Sequence, residues 1–271
     1  MRRALLCGCN YRGTSSELQG CIQDVTAARE VLITKYRFLP QNVLVLSDDT
    51  PIKPTRANMI AGFEWLLSGA KASDFKRPGA LIVRQPLGTI MYFHFSGHGS
   101  YQIDRNGDEV DKRDETICPL DFMRGEIVDD YIRSTLINRV PAGSTLVSVF
   151  DCCHSGSSED LRYTLRPDKT KAGSHFVLED TTYYPETRGR VFYISGCRDE
   201  ETSADAYIAG KFRGAMTAAL LDTLGKNSYR SIRMIDLLDG MNSFLTKNKL
   251  DDQHPCMGFG RREALEVAFP L

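Results

Sequence analysis

Two short segments of this sequence hold residue types that can do acyl-transfer chemistry. One is Phe93-His94-Phe95-Ser96-Gly97-His98-Gly99; the other is Val149-Phe150-Asp151-Cys152-Cys153-His154-Ser155-Gly156. Each reads as an apolar strand running into a glycine-punctuated turn. A thiol becomes a strong nucleophile when a neighbouring base or cation favours its thiolate. An imidazole is suited to that work near neutral pH. We therefore read Cys153 as nucleophile and His98 as general base. The glycines beside both residues permit sharp turns and close approach of a substrate backbone, and the amides of Gly99 and Cys153 are placed to face a developing oxyanion. Alternation along the strand puts Cys152 and Cys153 on opposite sides, so one of the two faces His98. His94 lies within the strand and reads as a core or sheet-face histidine, and His154 as a turn residue. A serine hydrolase using Ser155 or Ser157 would need a Gly-x-Ser-x-Gly elbow, which the sequence lacks.

The elements that must position these turns follow from apolar runs and their spacing. Runs at 4–9, 42–46, 90–95, 145–150 and 191–195, with a further candidate at 265–269, are rich in β-branched and aromatic residues, as strands covered on both faces are. Between them, 17–36, a segment capped by Thr55 and running to Leu67, 134–139, 212–224 and 232–245 read as helices. Strands alternating with helices give an α/β fold with a mostly parallel central sheet flanked by helices on both faces. Sites in such sheets form beyond the carboxyl ends of the strands, where both turns fall. Residues 157–190 are polar and read as a surface linker, and 72–88, with two prolines and an isolated Leu81-Ile82-Val83, as an extra hairpin or inserted loop.

The two turns resemble the catalytic His and Cys blocks of type I metacaspases, and a His about 50 residues before the Cys is also the caspase spacing. Further blocks agree in order: Arg3-Ala4-Leu5-Leu6 with Asn10-Tyr11, Leu18-Gln19-Gly20-Cys21 with Asp24, and Pro54-Thr55-Arg56-Ala57-Asn58. The run from Ile194-Ser195-Gly196-Cys197 to Thr202-Ser203-Ala204-Asp205 resembles the start of the small-subunit region. The resemblance implies one domain, a caspase-like three-layer sandwich over 1–271, with a large-subunit-like part (1–160), a linker (161–190) and a small-subunit-like part (191–271). It implies a Cys-His peptidase cleaving after Arg or Lys, with Asp24 and Asp151 binding the basic side chain and Cys21 and Ser96 completing the wall. Two carboxylates in a partly desolvated cleft suit a guanidinium through charge-assisted hydrogen bonds.

The resemblance further implies a calcium requirement, with Asp114, Asp129, Asp130 and Asp160 at the matching positions. The segment from Asp104 to Glu115 has the spacing of an EF-hand loop. However, Gly107 stands where such a loop has another residue, and no flanking helices are read. A Cys/His metal site made of His94, His98, Cys153 and His154 would leave the acidic pocket without a role. Given that pocket, Arg162, Arg166, Lys169, Lys171, Arg188 and Arg190 become candidate self-cleavage points. The resemblance also implies a monomer, and the competing class is a catalytically silent homologue acting as a binding or scaffolding module. Residues 72–88 are longer than the connection expected there, 251–260 match the family weakly, and no Pro/Gln-rich extension precedes the first strand.

Composition sets the remaining bounds. A chain of 271 residues with 42% hydrophobic and 25% charged residues is ordinary for a globular protein. A formal net charge of -1 with no dense basic run gives no reason to expect a nucleic-acid partner. No run approaches the roughly 18 apolar residues of a membrane span, and the apolar stretch after Met1 is too short for a secretory leader. The eight cysteines, two of them adjacent, do not form a secreted disulfide pattern and include no Cys-x2-Cys pair. The expectation is a protein of a reducing compartment, the cytosol, with Cys7, Cys9, Cys118 and Cys197 as small buried residues.

Overall fold

A computed structural model describes residues 1–68, 88–103, 113–152, 161–168, 176–196, 205–208, 211–250, 253–262 and 267–271. Its centre is an eight-stranded sheet in the order β2-β1-β3-β7-β10-β13-β8-β9. These strands are β1 Arg2–Gly8, β2 Val43–Ser47, β3 Ile90–Ser96, β7 Thr145–Asp151, β8 Tyr163–Pro167, β9 Phe176–Asp180, β10 Arg190–Ser195 and β13 Cys256–Phe259. From β2 to β10 the pairing is parallel, and β13, β8 and β9 extend it antiparallel. Two smaller sheets stand apart. One comprises β4 Gly99–Ile103, β5 Arg113–Ile117 and β6 Ile127–Val128; the other is a hairpin of β11 Asp205–Ile208 and β12 Lys211–Gly214.

Alternation along the strands divides the core into two layers. On β1, Ala4 and Leu6 face one cluster with Val25 and Leu32 of α1 (Cys21–Thr34), Ala218 and Leu224 of α4 (Ala215–Lys226) and Leu237 and Met241 of α5 (Met234–Lys247). Leu5 and Cys7 face the opposite cluster, with Met59, Phe63 and Leu66 of α2 (Arg56–Leu67) and Ile132 of α3 (Asp129–Thr135). Helices therefore cover both faces of a mostly parallel sheet, the three-layer arrangement expected from the sequence. Thr55 caps α2 as anticipated, its side chain accepting from the Asn58 amide.

Several element boundaries differ from the sequence reading. The first helix begins at Cys21 rather than residue 17, with Gly20 at its N-cap. The helix read at 134–139 lies earlier, at Asp129–Thr135, where two aspartates suit the first turn; a short 3-10 turn at Ile137–Arg139 follows it. The one read at 212–224 starts at Ala215, the preceding residues being β12. The last strand of the sheet is β13, not 265–269, where Ala268 makes an isolated bridge to Arg233. Gly258 interrupts the apolar signal of β13, yet a Cβ there would meet Leu161 at 3.1 Å and Tyr193 at 3.2 Å. The stretch read as a linker carries β8 and β9, two strands added to the sheet beyond β13. The 72–88 segment lies outside the described residues except for Gly88.

At the centre of the α2 side, Phe93 packs edge-on against Phe63 (5.2 Å between centroids) and Phe150 (5.3 Å). It is fully buried. Replacing it by Ala removes both aromatic contacts from this core layer, and a loss of about 3–5 kcal/mol is expected. Urea unfolding of Phe93→Ala checks this; a loss below about 1 kcal/mol would place the core elsewhere.

Candidate active site

The strands β3 and β7 are parallel neighbours, with Ser96 opposite Asp151. Their carboxyl ends therefore lie side by side, and the Gly97 amide donates to the Asp151 carbonyl across them (3.3 Å). Both sequence segments singled out for chemistry emerge at this one edge. Gly97 is required here, since a Cβ would stand 2.7 Å from the Tyr11 hydroxyl and 2.8 Å from the Phe95 ring. Cys153, His154 and Asp160 lie outside the described residues. Cys152 is fully buried within the apolar cluster that contains Phe95 and Phe150, where a peptide carbonyl has no access. Gly99 follows His98 directly and opens β4, paired with Ile117.

His98 is half-buried, and its Nε2 lies 2.8 Å from the Ser16 carbonyl oxygen. A carbonyl accepts and never donates, so Nε2 carries a proton and Nδ1 is the nitrogen left to act as base. The imidazole lies over the Tyr11 ring at 4.9 Å between centroids. Sequence reasoning missed both Ser16 and Tyr11, because one contributes a backbone carbonyl and neither residue type marks its position.

Of the residues that the family resemblance assigns to the substrate side chain, Asp24, Ser96 and Asp151 come together. Asp24 and Ser96 are joined by a hydrogen bond from the serine hydroxyl to Asp24 Oδ2 (2.8 Å). The Gly214 amide donates to Asp24 at 3.1 and 3.0 Å, and the Thr217 amide donates to Asp151 Oδ2 at 2.7 Å. Those two donors sit at the N-terminus of α4, where backbone amides and the helix dipole favour anions. Asp24 is 1% and Asp151 3% exposed. Cys21, a turn earlier on α1, is also buried. Gly214 and Thr217 were not singled out in the sequence, although the glycine ahead of the helix was a usable signal. A Cβ on Gly214 would stand 2.1 Å from Asp151 Oδ2 and 2.8 Å from Asp24 Oδ2, so glycine alone lets the chain pass between the carboxylates.

His94 is the core histidine expected. It is fully buried, with Nε2 3.1 Å from the Thr217 hydroxyl and Nδ1 3.4 Å from the Tyr92 hydroxyl. Burial depresses its pKa from 6.5 to about 3.

Three of the four residues expected to bind calcium lie on β5 and at the start of α3. Asp114 lies on β5, and Asp129 and Asp130 open α3 just after β6. Asp129 accepts from the Glu115 amide through Oδ2 and from the Asp130 amide through Oδ1, each at 2.7 Å. An oxygen donor set of this kind suits a hard cation. Among the described residues no group of three or more His, Cys, Asp or Glu is gathered as metal ligands, and the fourth expected ligand, Asp160, lies outside them. The EF-hand-like spacing at 104–112 falls outside them as well.

Comparison with known proteins places this geometry. A family model described as the caspase domain matches residues 1–263. The chain is 37% identical to Metacaspase-1 of Arabidopsis thaliana over 84% of its own length and 60% of the relative's. It is 31% identical to Metacaspase-1 of Schizosaccharomyces pombe over 94% of its length and 68% of the relative's. The chain thus spans about 60–68% of these relatives. A crystal structure of a Geobacter sulfurreducens protein shares the fold, with a TM-score of 0.63 at 22% identity over 99% of this chain and 97% of that one.

Two outcomes test the site. Gly214→Ala should push the carboxylates apart and lower the thermal midpoint; an unchanged midpoint would remove Gly214 from between them. His94 stays neutral in the folded protein, whereas the unfolded chain takes up a proton below pH 6.5. The unfolded state therefore binds the extra proton, and stability falls as pH drops from 6.5 towards about 3. The slope from this one group is about 1.4 kcal/mol per pH unit. Denaturant titrations from pH 7 down to about pH 5, above the main carboxylate range, should show a shallower slope in His94→Gln.

Proposed function

Because the chain belongs to the caspase-domain family, in its metacaspase branch, we propose that it is a cysteine endopeptidase that cleaves after Arg or Lys. The observation that carries this reading is the fixed tautomer of His98, whose Nδ1 is left as base where the β3 and β7 ends meet. In the mechanism, His98 Nδ1 takes the Cys153 Sγ proton and the thiolate attacks the scissile carbonyl carbon. The oxyanion is received by the amides of Gly99 and Cys153. The imidazolium then protonates the leaving amine, giving a thioester. Water, deprotonated by His98, attacks that thioester and restores the thiol.

Specificity rests on Asp24 and Asp151, with Cys21 and Ser96 as wall. The carboxylates of Asp24 and Asp151 accept from Gly214 and Thr217, and the charge and fork geometry of a carboxylate suit a guanidinium or ammonium. We further propose that Asp114, Asp129, Asp130 and Asp160 hold calcium, which would supply charge to order this acidic corner. Its support is the oxygen-only set and the junction that carries three of the four residues.

The sheet order favours a monomer, because β8 and β9 cover the outer edge of β13. Among the described residues no helix is long and apolar enough to cross a membrane. We further propose a cytosolic enzyme, on the ground that its eight cysteines do not form a secreted disulfide pattern. Self-processing, as proposed, avoids Arg166. That residue lies within β8 opposite Val177 and is ion-paired with Glu179, so its backbone is not free to enter a cleft.

Cleavage of a fluorogenic Arg-ended peptide, with calcium and with chelator, beside an Asp-ended control, tests the reading. Calcium-dependent turnover of the Arg peptide alone is expected, abolished in Cys153→Ala and His98→Ala. Asp24→Asn should lose about 10- to 100-fold in kcat/KM, the worth of one charged hydrogen bond. Retained activity in Cys153→Ala would overturn the nucleophile, and turnover in chelator would overturn the calcium requirement. Silence of the folded protein on both peptides would favour a binding or scaffolding role.

A further inference from the structure

Tyr11 makes contacts that converge on one residue, His98. Its backbone has φ of 50°, in the left-handed region that a bulky residue rarely adopts, and its side chain is fully buried. Such a conformation persists where the surroundings over-determine it, and here they do. The Tyr11 hydroxyl accepts from the His98 backbone amide (2.9 Å) and donates to the Cys118 carbonyl (2.6 Å). The Cys118 amide in turn donates to the His98 carbonyl at 3.0 Å, closing a ring of hydrogen bonds around the His98 backbone. The Tyr11 ring floors the imidazole at 4.9 Å and is itself braced edge-on by Phe122 at 5.8 Å.

The backbone of Tyr11 reaches the other end of the same imidazole. Its carbonyl accepts from the Thr14 hydroxyl (2.7 Å) and the Thr14 amide (3.2 Å). The Thr14 hydroxyl accepts from the Ser16 amide at 3.2 Å, and the Ser16 carbonyl accepts from His98 Nε2 at 2.8 Å. A closed path therefore runs from the His98 amide through Tyr11, Thr14 and Ser16 to the His98 ring. Burial raises the phenol's pKa well above its ordinary value, so the hydroxyl keeps the proton it gives to Cys118.

We propose that Tyr11 is the positioning residue for His98, setting its backbone through the hydroxyl, its ring plane by stacking, and its tautomer through the turn that presents the Ser16 carbonyl. The kinetic part of this inference rests on the peptidase reading; the tautomer part does not. Tyr11→Phe keeps the ring and removes the hydroxyl, and Thr14→Val, on the exposed turn, removes the link to Ser16 without touching the core.

The experiment measures both variants in two ways. In 15N-histidine-labelled protein, with the His98 signal assigned by its loss in His98→Gln, the wild type should show Nε2 protonated and Nδ1 not. In Thr14→Val the two nitrogen shifts should move towards each other as the ring exchanges between tautomers, and Tyr11→Phe, which loosens the His98 backbone, should show a smaller shift in the same sense. With the Arg-ended peptide, kcat should fall by about 10- to 100-fold in Tyr11→Phe with KM within about twofold, the signature of a misplaced base. Its kcat–pH profile should shift as well, a change that loss of stability alone would not produce. An unchanged His98 tautomer in both variants overturns the inference, as does a wild-type ring protonated on Nδ1. If the wild type proves silent on peptides, the peptidase reading falls and the tautomer measurement decides this inference alone. Should Tyr11→Phe fail to fold, Thr14→Val decides it by the same two readings.

Discussion

The pairing of β3 with β7 is the constraint on which the site depends. A parallel ladder fixes register residue by residue, and a slip of one would send every side chain to the opposite face. With Ser96 opposite Asp151, the polar residues at both strand ends point to the α1 and α4 side, while Phe95 and Phe150 remain in the opposite core layer. The same register ends both strands together, so the chain leaves the sheet towards His98 after β3 and through Cys152 after β7 at one edge. The aromatic contacts of Phe93 and Phe150 with each other and with Phe63 and Tyr193 hold that register from below.

Above the sheet, the buried carboxylates tie the two halves of the chain. Asp24, Ser96 and Asp151 come from the large-subunit-like part, 1–160, and the donors Gly214 and Thr217 come from the start of α4 in the small-subunit-like part. Charges taken out of water need compensating hydrogen bonds, and the helix N-terminus supplies amides whose own partners are otherwise missing. Each side thus satisfies a need of the other. The tie passes through Gly214, where a side chain would occupy the space the carboxylates fill. His94 extends it into the core by sharing Thr217, whose amide serves Asp151 and whose hydroxyl faces the imidazole.

The parts of this arrangement that were legible in the sequence are those with strong apolar signals. The five parallel strands are covered on both faces, so they appear as continuous runs, and the His and Cys turns follow from the glycines that end two of them. The outer strands β8 and β9 hide because they are only partly buried: Tyr163-Thr164-Leu165-Arg166-Pro167 and Phe176-Val177-Leu178-Glu179-Asp180 look like polar linker. The start of α4 was misplaced because Lys211–Gly214 continues the helix's apolar pattern while pairing as a strand. Asp24 was identified through family resemblance, since an aspartate in a first helical turn is otherwise a common surface residue. Tyr11 and Ser16 carry no signal of their own, because their roles depend on a left-handed backbone and a carbonyl direction.

That dependence on a carbonyl bears on the chemistry. In a Ser-His-Asp triad the third member is a carboxylate, which both orients the imidazole and stabilises the imidazolium by its charge. The Ser16 carbonyl orients His98 with a dipole and adds no net charge. A neutral orienter is sufficient where the nucleophile is a thiol, since a thiol ordinarily ionises near pH 8.5 and needs far less help than a hydroxyl. It also leaves geometry as the main burden, because a dipole's hold weakens with misalignment of the donor. The closed path of hydrogen bonds through Tyr11, Thr14 and Ser16 answers that burden, replacing the charge of a triad aspartate with a rigidly held direction.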